Sequence, residues 1–407
     1  MAKRFIPQTT QDVLNIVRAA FNDKKSLEVV GAGSKRGWGR PNKHSILMDL
    51  SKLSGITLYE PEELVLSAAA GTPMRDIHQE LFKHQQQLAF EPPDFSPLFG
   101  GKVGVGTLGG AIAANLSGPR RLQAGAARDH FLGFEAISGR GKEFKSGGRV
   151  VKNVTGFDLS KLLAGSFGTL AAMVSVTVKV LPSPEKTRTV LVFGLDNESA
   201  IQVLSETLQG SYEVNSAAHL PTDIAAKSCV SYVASAGTSV TAIRLQGPAP
   251  SVEVRCRGVR ALWHSCGDIE ELHSHNSATL WQEIGDIASL LNKPEDQIWR
   301  ISVPPSEGPG VVARVKGQIK CDAYFDWGGG LIWLAIEGDL AQAGTLIRSA
   351  LGPLGGHATL LRGRPEIRTV CDVFQPQTFE LHRLTKSIKG KFDPEGVLNP
   401  GRMYEGI

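Results

Sequence analysis

Near the N-terminus Val13, Ile16, Val17, Ala20 and Phe21 recur at helical spacing, with Thr9 placed as an N-cap and Asp12 in the first turn. This pattern predicts a helix that opens the chain. The period then changes: Leu27-Glu28-Val29-Val30 alternates and is β-branched, predicting a strand that stops at the glycine-rich run 31–39, which only a loop accommodates. Residues 46–50 and 64–70 read as further strands, and Thr72-Pro73 as a helix start with Thr as cap and Pro at the first helical position. Pro92-Pro93-Asp94-Phe95-Ser96-Pro97 and Gly100-Gly101 predict a long loop. A short helix follows, capped by Thr107 and ended by Ser117-Gly118-Pro119. Beyond it come a strand at 134–138, a hairpin at Gly139-Arg140-Gly141, a second strand, a helix near 157–163 and a strand in which Val174, Val176, Val178 and Val180 bury one face.

Pro182-Ser183-Pro184 looks like a boundary. After it glycine becomes rarer, and helical stretches such as 200–208 and 278–291 alternate with strand-like runs such as 331–337, predicting a second, α+β domain. Turn chemistry returns in the last twenty or so residues, from Phe392-Asp393-Pro394 to Asn399-Pro400-Gly401, which predicts a tail that docks elsewhere.

At 407 residues, 42% hydrophobic and 21% charged, the chain can bury a large core and is no disordered segment. Its net charge of +4 is too even for a dedicated nucleic-acid binder. The charge is uneven, however: from Pro97 to Pro182 there are 11 Lys/Arg against 4 Asp/Glu, or +7, and 16 of the 45 glycines. That basic, glycine-rich stretch is where an anionic ligand belongs. No apolar run approaches the ~18–20 residues that cross a bilayer, and no secretory signal is evident, so the expected location is cytoplasmic. Five cysteines (Cys229, Cys256, Cys266, Cys321, Cys371) without a C-x-x-C exclude a disulfide framework and a self-contained iron–sulfur or zinc-ribbon site. No metal site is expected. Electrons, if this protein moves them, pass through an organic cofactor.

The literal dinucleotide fingerprint occurs at Gly104-Val105-Gly106-Thr107-Leu108-Gly109, with Asp129 twenty residues past its last glycine. It lacks the apolar strand before it and the long helix after it that a Rossmann unit needs. Its glycines still carry meaning, because Gly109-Gly110 in a first helical turn costs stability unless something packs on that backbone. A phosphate is one such guest: free N–H groups at 107–110 suit a pyrophosphate, the loop 31–37 offers a second cradle with Lys35 and Arg36, and 165–168 a third. Ordinary tight turns explain any one of these loops equally well. Three within one basic region point to a long ligand.

Other candidates carry less. His264, His273 and His275, with Cys256 and Cys266, match no metal-ligand spacing and read as solvated loop residues. His382 is either a base or structural. Arg120-Arg121 can fork a substrate carboxylate or neutralise cofactor phosphates, the second being favoured. Trp263, Trp281 and Trp299 look exposed enough for a subunit interface, although core packing is the commoner use.

The ordered set of Val30-Gly31-Ala32-Gly33-Ser34, the run from Val105-Gly106-Thr107-Leu108-Gly109-Gly110 through Ala113 and Asn115 to Ser117-Gly118, Arg128-Asp129, the run 152–159, Gly165-Ser166-Phe167-Gly168-Thr169-Leu170 and the tail resembles the vanillyl-alcohol-oxidase-type (PCMH-type) FAD-binding flavoproteins. Within that superfamily it is most similar to the FAD-binding E-type subunits of bacterial glycolate oxidases. The resemblance implies an α+β fold: a two-part PCMH/VAO-type FAD-binding domain over 1–182, an α+β cap or subunit-interaction domain over 183–385, and a segment, 386–407, returning to the first domain. It implies FAD contacts from Gly31, Ala32, Gly33, Ser34, Lys35, Arg36, Gly106, Thr107, Leu108, Gly109, Gly110, Ala113, Asn115, Ser117, Gly118, Asp129, Gly168, Val174 (through backbone) and Asn399. Many relatives tether the flavin through a His in the first loop or a Cys in the second; neither is present here, so the FAD is expected to be non-covalent.

Related 2-hydroxy-acid dehydrogenases carry a metal motif H-x-G-D-G-N-x-H where this chain reads Asp326-Trp327-Gly328-Gly329-Gly330-Leu331-Ile332-Trp333. The loss of both histidines fits a subunit that needs partners. The resemblance therefore implies a D-type flavoprotein and an iron–sulfur subunit beside this chain, glycolate or a related 2-hydroxy acid as substrate, and peripheral membrane association through the complex. No catalytic residue is singled out. A self-sufficient flavin oxidase for another alcohol, and a structural subunit with little flavin chemistry, stay open as alternatives.

Overall fold

The capping box predicted at Thr9 forms, with Asp12 N–H donating to the Thr9 hydroxyl and the Asp12 carboxylate accepting the Thr9 N–H, and it starts the helix Thr10–Asn22. Val13, Leu14, Val17 and Ala20 bury against Leu27, Met48 and Leu50. The computed structural model describes residues 4–41, 46–148, 156–353 and 355–407. Among them the chain divides into two compact units: Met1–Ser117, Ala126–Ser183 and Pro376–Ile407 form the first, Gly118–Gly125 and Pro184–Gln375 the second.

In the first unit, strands Arg4–Phe5, Ile46–Asp49 and Leu27–Val30 make a small parallel sheet with Ile46–Asp49 in the middle. An antiparallel sheet of five strands runs in the order Ile56–Glu60, Val65–Ala69, Ala171–Lys179, Phe131–Ser138, Glu143–Gly147. The valine ladder of its central strand does not keep one phase. Opposite Glu135 and Ala136 the pairing skips from Ser175 to Met173, a bulge at Val174. Val176, Val178 and Val180 therefore point into one core, with Leu66, Ile77 and Leu108, while Val174 joins the core under the opening helix. Pro73 serves as the cap of the next helix, Met74–Lys83, one residue later than the sequence suggests. The Thr72 hydroxyl is drawn away to the carbonyl of Ala69, 2.6 Å distant.

The second unit is built on an antiparallel sheet of eight strands, ordered Ile269–His273, Lys186–Phe193, Val240–Gly247, Ser216–Leu220, Cys321–Asp326, Leu331–Ile336, Gln297–Ser302, His357–Arg362. Helices Asn197–Gln209, Ala249–Trp263 and Ser274–Gly285 belong to this unit. The last ends earlier than the apolar pattern implied, because Ile287 turns to φ 54° and only a 3₁₀ turn follows. Of the two readings open for Trp263, Trp281 and Trp299, an exposed interface or the core, the structure takes the core: all three are buried. Trp263 and Trp281 donate their indole N–H to Thr207 and Thr189, each at 2.8 Å, which satisfies the one polar atom that burial would penalise.

The tail clips the first unit together. Leu27 N–H donates to Val397 carbonyl and Asn399 N–H to Leu27 carbonyl, adding a strand-like rung beside Leu27–Val30. Lys389 and Asp393, both buried, pair at 2.6 Å; the ammonium also reaches the carbonyls of Thr169 and Leu398, and the carboxylate takes the N–H groups of Val397 and Leu398.

Candidate cofactor-binding site

The strand Leu27–Val30 ends in a loop whose amides are left unused. Among the described residues the backbone N–H groups of Gly31, Ala32, Gly33, Ser34 and Lys35 make no hydrogen bond; those of Arg36 and Trp38 return to the carbonyls of Gly33 and Lys35. Gly33 adopts φ 75°, so consecutive N–H groups converge in the way that makes an anion nest. Gly31 admits no side chain: a Cβ there would lie 2.2 Å from the Thr107 hydroxyl oxygen. Facing the loop, Gly106 and Thr107 also carry unused amides. A Cβ on Gly106 would lie 3.9 Å from both the Lys35 ammonium and the Ser34 hydroxyl.

Lys35 is the cation of this cleft. Burial pulls its ammonium down to about 8, with Asp94 pulling the other way, and its hydrogen bond is to the Ser34 hydroxyl at 3.2 Å. A neighbouring anion would restore the charge that desolvation disfavours. Arg36 is not available in the same way. It forks Glu28 at 2.8 and 2.5 Å, and Arg402 braces both the Glu28 carboxylate and the Lys35 carbonyl from the tail.

The other two expected cradles are filled by the protein itself. At the start of helix Leu108–Ala113 the N–H of Leu108 goes to Thr72 carbonyl, that of Gly109 to Ala70 carbonyl, that of Gly110 to the Thr107 hydroxyl and that of Ala111 to Thr107 carbonyl. Gly109 is glycine because Ala70 packs against it, 2.7 Å from where a Cβ would stand, and not because a phosphate does. Gly110 faces the cleft, its Cβ position 3.5 Å from the Lys35 ammonium. In the third loop Gly165 and Phe167 donate to the carbonyls of Ile112 and Ala113, so those amides cap a helix end and are not free for an anion.

The structure thus gathers Gly31, Ala32, Gly33, Ser34, Lys35, Arg36, Thr107, Gly109, Gly110, Ala113 and Gly168 around one cleft, with Gly106 at its edge. Phe167, Ala70, Met173 and Arg402 line it too. Sequence reasoning did not single these out, since an Ala, a Met or a Phe carries no signal, although Arg402 follows the Asn399-Pro400-Gly401 turn directly. Asn399 stands behind the cleft. Its amide carbonyl accepts Val29 N–H at 2.7 Å and its amide nitrogen donates to Phe167 carbonyl at 2.7 Å, stapling two walls.

Six expected contacts lie elsewhere. Leu108 is core. Asn115 accepts Arg128 N–H, and Ser117 accepts Ala127 N–H, both knitting the following turn. Asp129 caps Ala126 N–H and pairs with Lys161, half exposed. Val174 lends its carbonyl to Ala70 N–H. Gly118 falls in the second unit. Of the run 152–159, residues 152–155 lie outside the described residues.

A nest of unused amides, a lysine whose charge burial disfavours and a glycine-walled cleft fit a phosphate-bearing cofactor. Residues 2–147 match the family described as "FAD binding domain". Over its length the chain is 33% identical to glycolate oxidase subunit GlcE of Escherichia coli (strain K12), covering 97% of both chains. It is 24% identical to glycolate oxidase subunit GlcD of Bacillus subtilis (strain 168), covering 98% of this chain and 88% of that one. Among solved structures, p-cresol methylhydroxylase (TM-score 0.71, 15% identity, 99% of this chain and 88% of that one) and 4-ethylphenol oxidase from Gulosibacter chungangensis (TM-score 0.74, 14% identity, 99% and 89%) share the fold, an α+β PCMH/VAO-type architecture. No helix among the described residues is long and apolar enough to cross a membrane. The chain belongs to the GlcE family of glycolate oxidase subunits, FAD-dependent oxidoreductases.

Proposed function

We propose that this chain is the FAD-binding subunit of a glycolate oxidase complex, and that its flavin works in series with a D-type flavoprotein and an iron–sulfur subunit. When bound, FAD supplies hydride acceptance from a 2-hydroxy acid and onward electron transfer. The chain's residues do the holding. Amides 31–35, with those of Gly106 and Thr107, would receive the diphosphate oxygens, Lys35 would neutralise them, and Phe167 and Met173 would wall the cleft. Asn399 and Arg402 keep that loop in register.

The observation that carries this reading is the run of five consecutive amides, 31–35, that make no hydrogen bond among the described residues, beside the Lys35 ammonium: an anion seated there takes several N–H groups and a positive charge at once. The full-length match to a protein named as a subunit supports the partnership. Coexpression with a D-type flavoprotein and an iron–sulfur protein tests it. Glycolate-dependent dye reduction is expected from the three together and negligible turnover from this chain alone; robust turnover by the isolated chain would overturn the partnership, and a colourless chain that FAD cannot reconstitute would overturn the flavin role.

A further inference from the structure

The strand Leu27–Val30 that leads into the cleft carries a buried carboxylate, Glu28, 6% exposed. A charge in such a place needs partners. Arg36, in the loop that follows, forks it at 2.8 and 2.5 Å, and Arg402 from the tail stands 3.6 Å from the oxygen that accepts the Arg36 Nε–H. Hydrogen bonding to Glu28 pushes the Arg36 guanidinium above its ordinary value. The charged form is held in place.

Arg36 lies on the amide nest without serving it. Its N–H donates to Gly33 carbonyl at 3.1 Å, and its Cδ stands 3.4 Å from the place of a Gly33 Cβ, so the side chain packs on the middle residue of the run 31–35. Lys35, which lines the cleft with it, feels the charge of Asp94 but forms no ion pair among the described residues. A cleft so arranged sorts anions by their charge per phosphate. A diphosphate esterified at both ends carries one negative charge on each phosphate, whereas a terminal phosphate carries about 1.5 to 2 at pH 7. The amides and Lys35 suit the first. The second calls for another cation, and Arg36 is at hand, but turning it would leave a buried carboxylate with Arg402 alone at 3.6 Å, and a buried pair resists the loss of one partner.

We propose that Glu28 determines specificity in this cleft: by holding Arg36 it tunes the nest to a diphosphate diester and against nucleotides that end in an unesterified phosphate. FAD is such a diester, while ADP and ATP share its adenylate half and differ at the terminal phosphate. The inference rests on the reading of amides 31–35 as the diphosphate site.

Calorimetry on the full chain freed of flavin compares FAD, ADP and ADP methylated on its terminal phosphate, the last two differing in one charge and one methyl group. At pH 7 the methyl ester should bind the wild type at least about tenfold tighter than ADP. Glu28→Gln keeps the volume and releases Arg36, so ADP should tighten at least about tenfold while the methyl ester changes less than about threefold. Adding Arg36→Gln should take that gain back. The double variant also removes the ion pair as a unit, so it serves where the single variant loses its fold: it should retain FAD and the wild type's preference for the ester. Four results would overturn the role of Glu28 and leave the nest reading standing: ADP binding the wild type as tightly as its ester, neither ADP compound binding while FAD does, unchanged ADP affinity in Glu28→Gln, or loss of FAD or of the preference in the double variant. Failure of the wild type to bind FAD would sink the nest reading, and this inference with it.

Discussion

The contact between Gly31 and Thr107 decides how closely the loop approaches the helix that backs it. In Gly31→Ala the new methyl would overlap the Thr107 hydroxyl, whose oxygen stands 2.2 Å from the Cβ position. We expect flavin retention, read from the ratio of visible to protein absorbance, to fall at least about tenfold, equivalent to roughly 1.4 kcal/mol of lost binding. Thr107→Ala alone loses an N-cap and should cost about 1 kcal/mol of stability. The double variant makes room for the methyl, so it should retain more flavin than Gly31→Ala alone; equal loss in both would remove this contact from the explanation. Lys35 adds a pH dependence with a definite sign. Its ammonium titrates near 8 in the chain without ligand, and an anion binds the charged form, so FAD affinity should be flat below pH 8 and weaken above it by up to about one decade per pH unit. Lys35→Met should bind less tightly at pH 7 and lose that slope. A slope that persists in Lys35→Met assigns the titration to another group.

At the level of elements, the clearest difference from the sequence pattern is the bulge at Val174. Alternation of four valines predicts one buried face, but two-residue periodicity holds only while the ladder is regular, and the skipped residue sends Val174 to the opposite core. Sequence patterning placed the opening helix, the cap at Thr107 and the strand before the loop because each is settled by neighbours a few residues away. The docking of Phe392–Gly401 is a different matter: Lys389 reaches the carbonyl of Thr169, distant in sequence, while its partner Asp393 closes the tail on itself through the N–H groups of Val397 and Leu398. Asp393→Ala would leave the Lys389 ammonium buried without its counter-charge, and we expect about 3–5 kcal/mol of destabilisation, visible as a lowered denaturation midpoint. Lys389→Met, which removes the cation and keeps the volume, should cost less. The reverse order would mean that the pair is not what fixes the tail.

For the whole molecule, the match to GlcE runs through 97% of both chains, so the likeness includes the second unit as well as the FAD-binding family region. Neither a histidine nor a cysteine stands in the loop 31–39 or the segment 105–118, and acid precipitation is expected to release the flavin into the supernatant. Colour retained in the pellet would mean a covalent bond elsewhere. The order of glycine-rich runs, the excess of basic residues from Pro97 to Pro182 and the caps were legible in the sequence, because glycine position and capping are properties of the backbone that residue type dictates locally. Sequence alone also marked three loops as equally able to hold an anion. Only the fold separates them: Ala70, Thr72 and Thr107 supply acceptors to the second, Ile112 and Ala113 to the third, and among the described residues nothing supplies them to residues 31–35. Whether an N–H is free depends on which distant carbonyl reaches it, and that is settled by tertiary packing.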